Sequence, residues 1–322
     1  MDMIEVVDHI FKENKGILAA DESGGTIEKR LASVGIESTS QTRHLYRHTL
    51  FSTQGMSKYI GGVILFDETI RSLETTAPLR AQGINLGIKV DTGAKDYGTQ
   101  KITEGLDGLT DRLSEYRDLG ASFAKWRAVL TTESTLNNIK INCAIMSVYA
   151  KRCQEAGIVP IVEPEVLMDG IHTSGLAYRI TGTAIRELFA ALERERVNLE
   201  TLILKPNMIV SGYDSHSRSS VSEVAYLTLK CFKNHVPAAV GAIAFLSGGQ
   251  KDKDVLDNLA CMNEDFYLPW TLSFSFGRTM QNGALRLWAE GNPEEAKDWT
   301  LQRAKDCCEA VSGRDKTWGI GH

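Results

Sequence analysis

The chain has 322 residues, 43% of them hydrophobic and 24% charged, with a formal net charge of -5. That is enough for a large core, and it lacks the basic excess that nucleic acid or an anionic membrane would attract. No apolar stretch is long enough to span a bilayer and the acidic start Met1-Asp2-Met3-Ile4-Glu5 lacks the layout of a signal peptide, so a cytoplasmic protein without nucleic-acid or membrane partners is expected.

Eight short β-rich runs follow one another along the chain: Gly16–Asp21, Gly61–Phe66, Asn85–Val90, Phe123–Val129, Val159–Glu163, Leu202–Lys205, Ala238–Leu246 and Trp270–Phe276. Helical spacing fills the gaps. Leu176, Ile180, Ile185, Leu188, Phe189 and Leu192 make one apolar stripe, and Val224, Leu227 and Cys231 mark another. Ile70 to Gly83 and Gly93 to Gly105 read as polar loops. The tail, residues 313–322, reads as mobile. Strands alternating with helices predict parallel βαβ units. Eight of them favour an α/β fold of one domain over residues 1–322, a closed (β/α)8 TIM barrel, although periodicity alone leaves an open doubly wound sheet as the alternative.

The functional groups gather where such a barrel places its active site, at the C-terminal ends of the strands. Asp21 closes the first run, Asp67 and Glu68 the second, and Lys89 the third. Lys125 and Arg127 belong to the fourth, Glu163 and Glu165 to the fifth, and Lys205 and Asn207 to the sixth. Ser247 closes the seventh, and Arg278 follows the eighth. Period-two geometry puts Lys125 and Arg127 on one face, and Glu163 and Glu165 on another. Singly, each is explained by a salt-bridged strand end. Together, so many cations and acids in one mouth call for an anionic ligand.

Lys205 lies in the apolar run Leu202-Ile203-Leu204-Lys205-Pro206-Asn207. An amine there either snorkels to water or is desolvated, which favours its nucleophilic neutral form. In Phe245-Leu246-Ser247-Gly248-Gly249-Gln250 a strand runs into a glycine turn that offers backbone N–H groups to an anion, and Arg278, just after Gly277, adds a guanidinium fork. Asp21-Glu22-Ser23-Gly24-Gly25-Thr26 is a second hydroxyl-rich turn, for which helix capping by Ser23 or Asp21 is the simpler account. Cys143, Cys153, Cys231, Cys261, Cys307 and Cys308 form no CxxC pair and read as small hydrophobes of a reducing compartment. His44 and His48 have formal ligand spacing, but a solvated helix face accounts for them better than a metal.

These segments resemble the class I, Schiff-base fructose-1,6-bisphosphate aldolases. The resemblance rests on Gly16-Ile17-Leu18-Ala19-Ala20-Asp21-Glu22-Ser23, Gly87-Ile88-Lys89-Val90-Asp91, Phe123-Ala124-Lys125-Trp126-Arg127, Val162-Glu163-Pro164-Glu165, Leu204-Lys205-Pro206-Asn207, Ser247-Gly248-Gly249-Gln250 and Gly277-Arg278, in family order. It implies reversible aldol cleavage of a sugar bisphosphate, no metal or organic cofactor, and a homotetramer. By resemblance Lys205 is the Schiff-base lysine, Glu163 the general acid/base, Asp21 an assistant in C–C cleavage and Lys125 the positioning lysine. Arg127, Lys89 and Glu165 match substrate-binding positions. Ser247, Gly248, Gly277 and Arg278 match the ketose 1-phosphate site, and Ser23 and Thr26 the other phosphate. The chain departs from the animal members in having no tyrosine after Tyr267, in ending at His322, and in carrying Phe276 where many members have tyrosine. Alternatives are a related aldolase for sedoheptulose or tagatose bisphosphate, a non-catalytic binding protein on this scaffold, and a metal-dependent aldolase, which would need a histidine cluster at strand ends.

Overall fold

A computed structural model describes residues 1–265 and 267–313. The eight expected runs become the strands of a closed parallel barrel: β1 (Gly16–Ala20), β2 (Ile60–Leu65), β3 (Asn85–Lys89), β6 (Ala121–Leu130), β7 (Val159–Val166), β8 (Ile203–Leu204), β9 (Ala242–Phe245) and β10 (Leu272–Phe276). They close in the order β1-β10-β9-β8-β7-β6-β3-β2. The anticipated mobile tail falls on residues 314–322, outside those described, apart from Gly313.

Two stretches expected to be loops are regular. Residues 93–104 form an antiparallel hairpin, β4 (Gly93–Tyr97) and β5 (Gln100–Glu104). Gly98 turns it at a φ of +63°, a left-handed conformation suited to glycine. Its polarity hid it. Lys95 pairs with Glu104, Asp96 with Lys101, and Asn138 and Asn142 of the helix Leu136–Glu155 both donate to the Lys101 carbonyl. The other stretch holds the helices Asp67–Arg71 and Leu73–Ala81. The second buries Thr75, Thr76 and Leu79 and contains Pro78, so it shows no apolar stripe. Ser72 starts it, accepting from the Thr75 N–H at 3.2 Å.

The predicted stripe is confirmed as the helix Ser174–Arg194, which buries Ile185, Leu188, Phe189 and Leu192. Its neighbour Val221–His235 buries Val224 and Cys231. Such helices cover the outside of the barrel. The inside of its base is a separate apolar cluster of Ile17, Ile64, Phe123, Ile161 and Ile203, stoppered by Val6, Val7, Ile10 and Phe11 of the N-terminal helix Met3–Phe11. Glycine makes that fit possible: a Cβ on Gly61 would lie 2.0 Å from the Ile10 carbonyl oxygen.

Beside β7 the ladder is short for a stated reason. The Lys205 N–H donates to the Val162 carbonyl at 2.8 Å, so the even-numbered residues of β7 face β8. Pro160 and Pro164 have no N–H to offer on that side, and β8 pairs only through Ile203 and Leu204. The side-chain oxygen of Asn207 then accepts the Val166 N–H at 3.0 Å.

Candidate active site

The C-terminal ends of the strands surround a cleft of about 970 Å³, and every catalytic and substrate-binding residue expected from the sequence lines it: Asp21, Ser23, Thr26, Lys89, Lys125, Arg127, Glu163, Glu165, Lys205, Ser247, Gly248, Gly277 and Arg278. The strand register explains the grouping. Lys89 of β3 stands beside Lys125 of β6, and Arg127 stands beside Glu163 of β7. Alternation then sends Lys125 and Arg127, and likewise Glu163 and Glu165, into the same space.

At the bottom of the cleft lies a buried chain of alternating charge. Asp21 Oδ2 is 2.6 Å from Lys125 Nζ. Lys125 Nζ is 3.4 Å from Glu163 Oε2, and Glu163 Oε1 is 3.3 Å from Lys205 Nζ. Lys125, Glu163 and Lys205 are each 4% exposed, so no member can be left unpaired cheaply. Burial alone would raise the pKa of Asp21, but Lys125, Lys205 and Lys89 outweigh it and hold it below the ordinary value. Glu163 is likewise held down, burial being overcome by Lys205, Lys125 and Arg127. Burial pulls Lys125 toward the neutral amine, and Asp21, Glu163 and Asp91 pull it further the other way, well above the usual lysine range. The resting site thus holds two carboxylates bridged by a lysinium. Lys205 is neither snorkelling nor isolated: it is buried against a carboxylate.

Around this chain stand further polar groups. Arg127 Nε donates to Glu165, and Glu165 is 7% exposed. Asp91, for which the sequence offered no role, is a hub. It accepts from Lys89 Nζ at 2.5 Å, from the Gly93 N–H at 3.2 Å and from the Arg127 N–H at 3.3 Å. Its spacing of two from Lys89 was the available signal. Ser275 also lines the cleft, and its buried Oγ makes no hydrogen bond among the described residues.

The glycine turn after β9 and the first turn of the helix Arg278–Ala289 form one corner of the cleft. Gly248 and Gly249 have φ of +57° and +87°. Arg278 packs so near that a Cβ on Gly249 would lie 2.8 Å from its guanidinium. The exposed Arg278 and the helix N-terminus suit an anion. On the opposite side, Ser23 precedes the helix Gly24–Ala32 without capping it through its side chain, and its Oγ lies 3.3 Å from Thr26 Oγ1. Neither hydroxyl is consumed by the capping role that the sequence allowed, and Asp21 is committed to Lys125.

Two sequence expectations are corrected. Glu68 turns away from the cleft to Arg43 and Arg47. Asn207 serves the β7 edge and does not line the cleft. Phe276 is fully buried, its ring 5.4 Å from that of Phe274, so this position makes no contact in the cleft. His44 and His48 bond to Thr75 and Ser52, and among the described residues no group of three or more His, Cys, Asp or Glu is placed to hold a metal. Cys143, Cys153, Cys231, Cys307 and Cys308 are buried, with burial pushing the Cys143 thiol up to about 12.

A closed parallel barrel with an amine and a carboxylate buried together in its mouth, beside a corner that suits an anion, is an arrangement fitted to carbonyl chemistry on a phosphorylated substrate. A family model described as fructose-bisphosphate aldolase class-I matches residues 2–319. A probable fructose-bisphosphate aldolase class 1 of Xylella fastidiosa is 45% identical, over 98% of this chain and 98% of its own. Fructose-bisphosphate aldolase 1 of Toxoplasma gondii is 41% identical, over 97% of this chain and 90% of its own. The solved structure of fructose-bisphosphate aldolase from Plasmodium falciparum, in complex with TRAP and a small-molecule inhibitor, matches with a TM-score of 0.94 at 37% identity, covering 98% of this chain and 95% of that one. The chain belongs to the class-I fructose-bisphosphate aldolase family.

Proposed function

We propose that this enzyme, a carbon–carbon lyase of its family, reversibly cleaves fructose 1,6-bisphosphate to dihydroxyacetone phosphate and glyceraldehyde 3-phosphate through an iminium on Lys205, without metal or organic cofactor. The observation that carries the reading is the pair Lys205 Nζ and Glu163 Oε1, buried together at 3.3 Å.

The chemistry follows from that pair. Glu163, held ionised, accepts a proton from Lys205 Nζ and frees its lone pair to attack the C2 ketone. The same proton, returned to the carbinolamine hydroxyl, expels water and leaves the iminium. Glu163 is then a base again. With Asp21 assisting, it removes the C4 hydroxyl proton, the C3–C4 bond breaks, and its electrons flow into the iminium to give an enamine. Glyceraldehyde 3-phosphate leaves. Protonation of the enamine carbon and hydrolysis release dihydroxyacetone phosphate. Lys125 stays charged throughout and holds Asp21 and Glu163 in place. Ser247, Gly248, Gly277 and Arg278 bind the 1-phosphate, Ser23 and Thr26 the 6-phosphate, and Lys89, Arg127 and Glu165 the carbon chain between.

The proton that Glu163 takes from the C4 hydroxyl is available for the enamine carbon, and its transfer returns Glu163 to the ionised form. No helix among the described residues is long and apolar enough to cross a membrane. A cytoplasmic location, a homotetramer and a single domain over residues 1–322 complete the proposal. The occupied catalytic positions favour it over a binding protein on the scaffold, and the family over the sedoheptulose or tagatose readings.

The test is borohydride reduction with fructose 1,6-bisphosphate, followed by peptide mass spectrometry. A substrate-derived adduct on the peptide carrying Lys205 is expected, with turnover abolished and the fold retained in Lys205→Met. An adduct on Lys125 or Lys89 would move the nucleophile, and none at all would overturn iminium chemistry.

A further inference from the structure

The peptide joining Gly248 to Gly249 is held from behind by a phenol. Tyr213 lies in the irregular segment after β8, and its hydroxyl donates to the Gly248 carbonyl at 2.7 Å. Both glycines are left-handed, so the peptide plane between them has little side-chain restraint of its own. In a trans peptide the C=O and the N–H point opposite ways. With the Gly248 carbonyl drawn to Tyr213, the Gly249 N–H faces away from it. A flipped plane would exchange a donor for a carbonyl oxygen, which repels a phosphate.

We propose that Tyr213 is a positioning residue for the ketose 1-phosphate: its hydroxyl latches the Gly248–Gly249 peptide in the orientation that presents an N–H to the anion. The inference rests on the assignment of that phosphate to the Ser247–Arg278 corner.

The latch is itself anchored. The Tyr213 N–H donates to the Met168 carbonyl at 2.9 Å, the Gly212 N–H to His172 at 2.8 Å, and the Asp214 N–H to Gly170 at 2.9 Å. The two segments are so close that a Cβ on Gly212 would lie 2.1 Å from the Gly170 carbonyl oxygen. Met168 then packs onto Gly248, where a Cβ would lie 2.4 Å from its Cε. The Arg218 guanidinium covers the Tyr213 ring at 5.7 Å. Burial raises the phenol above its ordinary pKa, so it remains a donor at neutral pH. Unlike Arg278, Tyr213 does not line the cleft, and it acts through the turn alone.

The experiment is steady-state kinetics in the condensation direction, with dihydroxyacetone phosphate and glyceraldehyde 3-phosphate varied separately, on the unaltered enzyme, Tyr213→Phe and Arg278→Ala. Tyr213→Phe removes one oxygen and keeps the ring. It is expected to raise KM for dihydroxyacetone phosphate about three- to tenfold, the size of one neutral hydrogen bond, with KM for glyceraldehyde 3-phosphate unchanged and kcat within about twofold. An unchanged KM for dihydroxyacetone phosphate, or an equal rise for both trioses, overturns the latch, provided that Arg278→Ala raises KM for dihydroxyacetone phosphate. If Arg278→Ala leaves that KM unmoved, it is the phosphate assignment that fails.

Discussion

Lys125 reaches across from β6 to the end of β1 and donates to Asp21 at 2.6 Å, while remaining 3.4 Å from Glu163. One ammonium therefore serves two carboxylates to which the proposed mechanism gives different work. Their charges would otherwise meet in a buried space.

Removing that ammonium has a predictable effect on the pH profile. Lys125 helps to hold both Asp21 and Glu163 below their ordinary values. In Lys125→Met both should rise, so the acid limb of kcat/KM should move to higher pH, with a loss of activity at neutral pH of about 10²-fold or more. A pH–rate profile measures it. An acid limb that stays in place while activity falls would show that Lys125 serves only as a substrate contact.

The same shifts bear on stability. Asp21 is depressed below 3.8, so its contribution is present above that pH and is lost as pH falls through its folded value. Asp21→Asn removes the contribution. Urea midpoints should therefore differ most between the two proteins at neutral pH and converge below about pH 3.8. Lys125 has the opposite sign: its raised value stabilises the fold below 10.5 and is given up only as pH climbs past the folded value.

Glu163→Gln keeps the size of the side chain and removes its capacity to carry a proton. Turnover should fall about 10²- to 10⁴-fold, the range for general acid–base catalysis, with substrate affinity changed far less. Single-turnover kinetics should place the defect before release of glyceraldehyde 3-phosphate. A slowed product release with normal cleavage would assign Glu163 elsewhere.

At the other end of the barrel, Gly61→Ala should cost about 1–3 kcal/mol or more, because the added methyl meets the backbone of Ile10 at 2.0 Å and backbone cannot swing aside. The denaturant midpoint should fall, while kcat of the protein that remains folded is unchanged.

The barrel strands could be read in the sequence because parallel strands are buried on both faces and appear as apolar runs; β1 and β2 are buried at every residue. The hairpin and the helix Leu73–Ala81 could not. Their contacts are made by threonines, by ion pairs and by asparagines on a distant helix, which leave no hydrophobic period. The site was legible by alternation: Lys125 with Arg127, and Glu163 with Glu165. Which acid meets which base was not, because Asp21 and Lys125 are 104 positions apart in the chain and only barrel closure makes them neighbours. The departures of Glu68 and Asn207 have the same origin. Each answers a partner that tertiary packing supplies: Arg43 and Arg47 of the helix Ser40–Phe51 for the one, and the Val166 N–H left beyond the β7 prolines for the other.

The helix Met3–Phe11 gives the barrel a floor. Val6, Val7, Ile10 and Phe11 fill the end away from the cleft, so among the described residues that end of the barrel is closed. In the proposed reaction the bisphosphate enters and both trioses leave at the cleft end. With the proposed covalent attachment to Lys205, the aldehyde departs while its partner is still tethered. Covalent attachment thus sets the order of traffic as well as the chemistry: in a room without a back exit, it decides which guest leaves first.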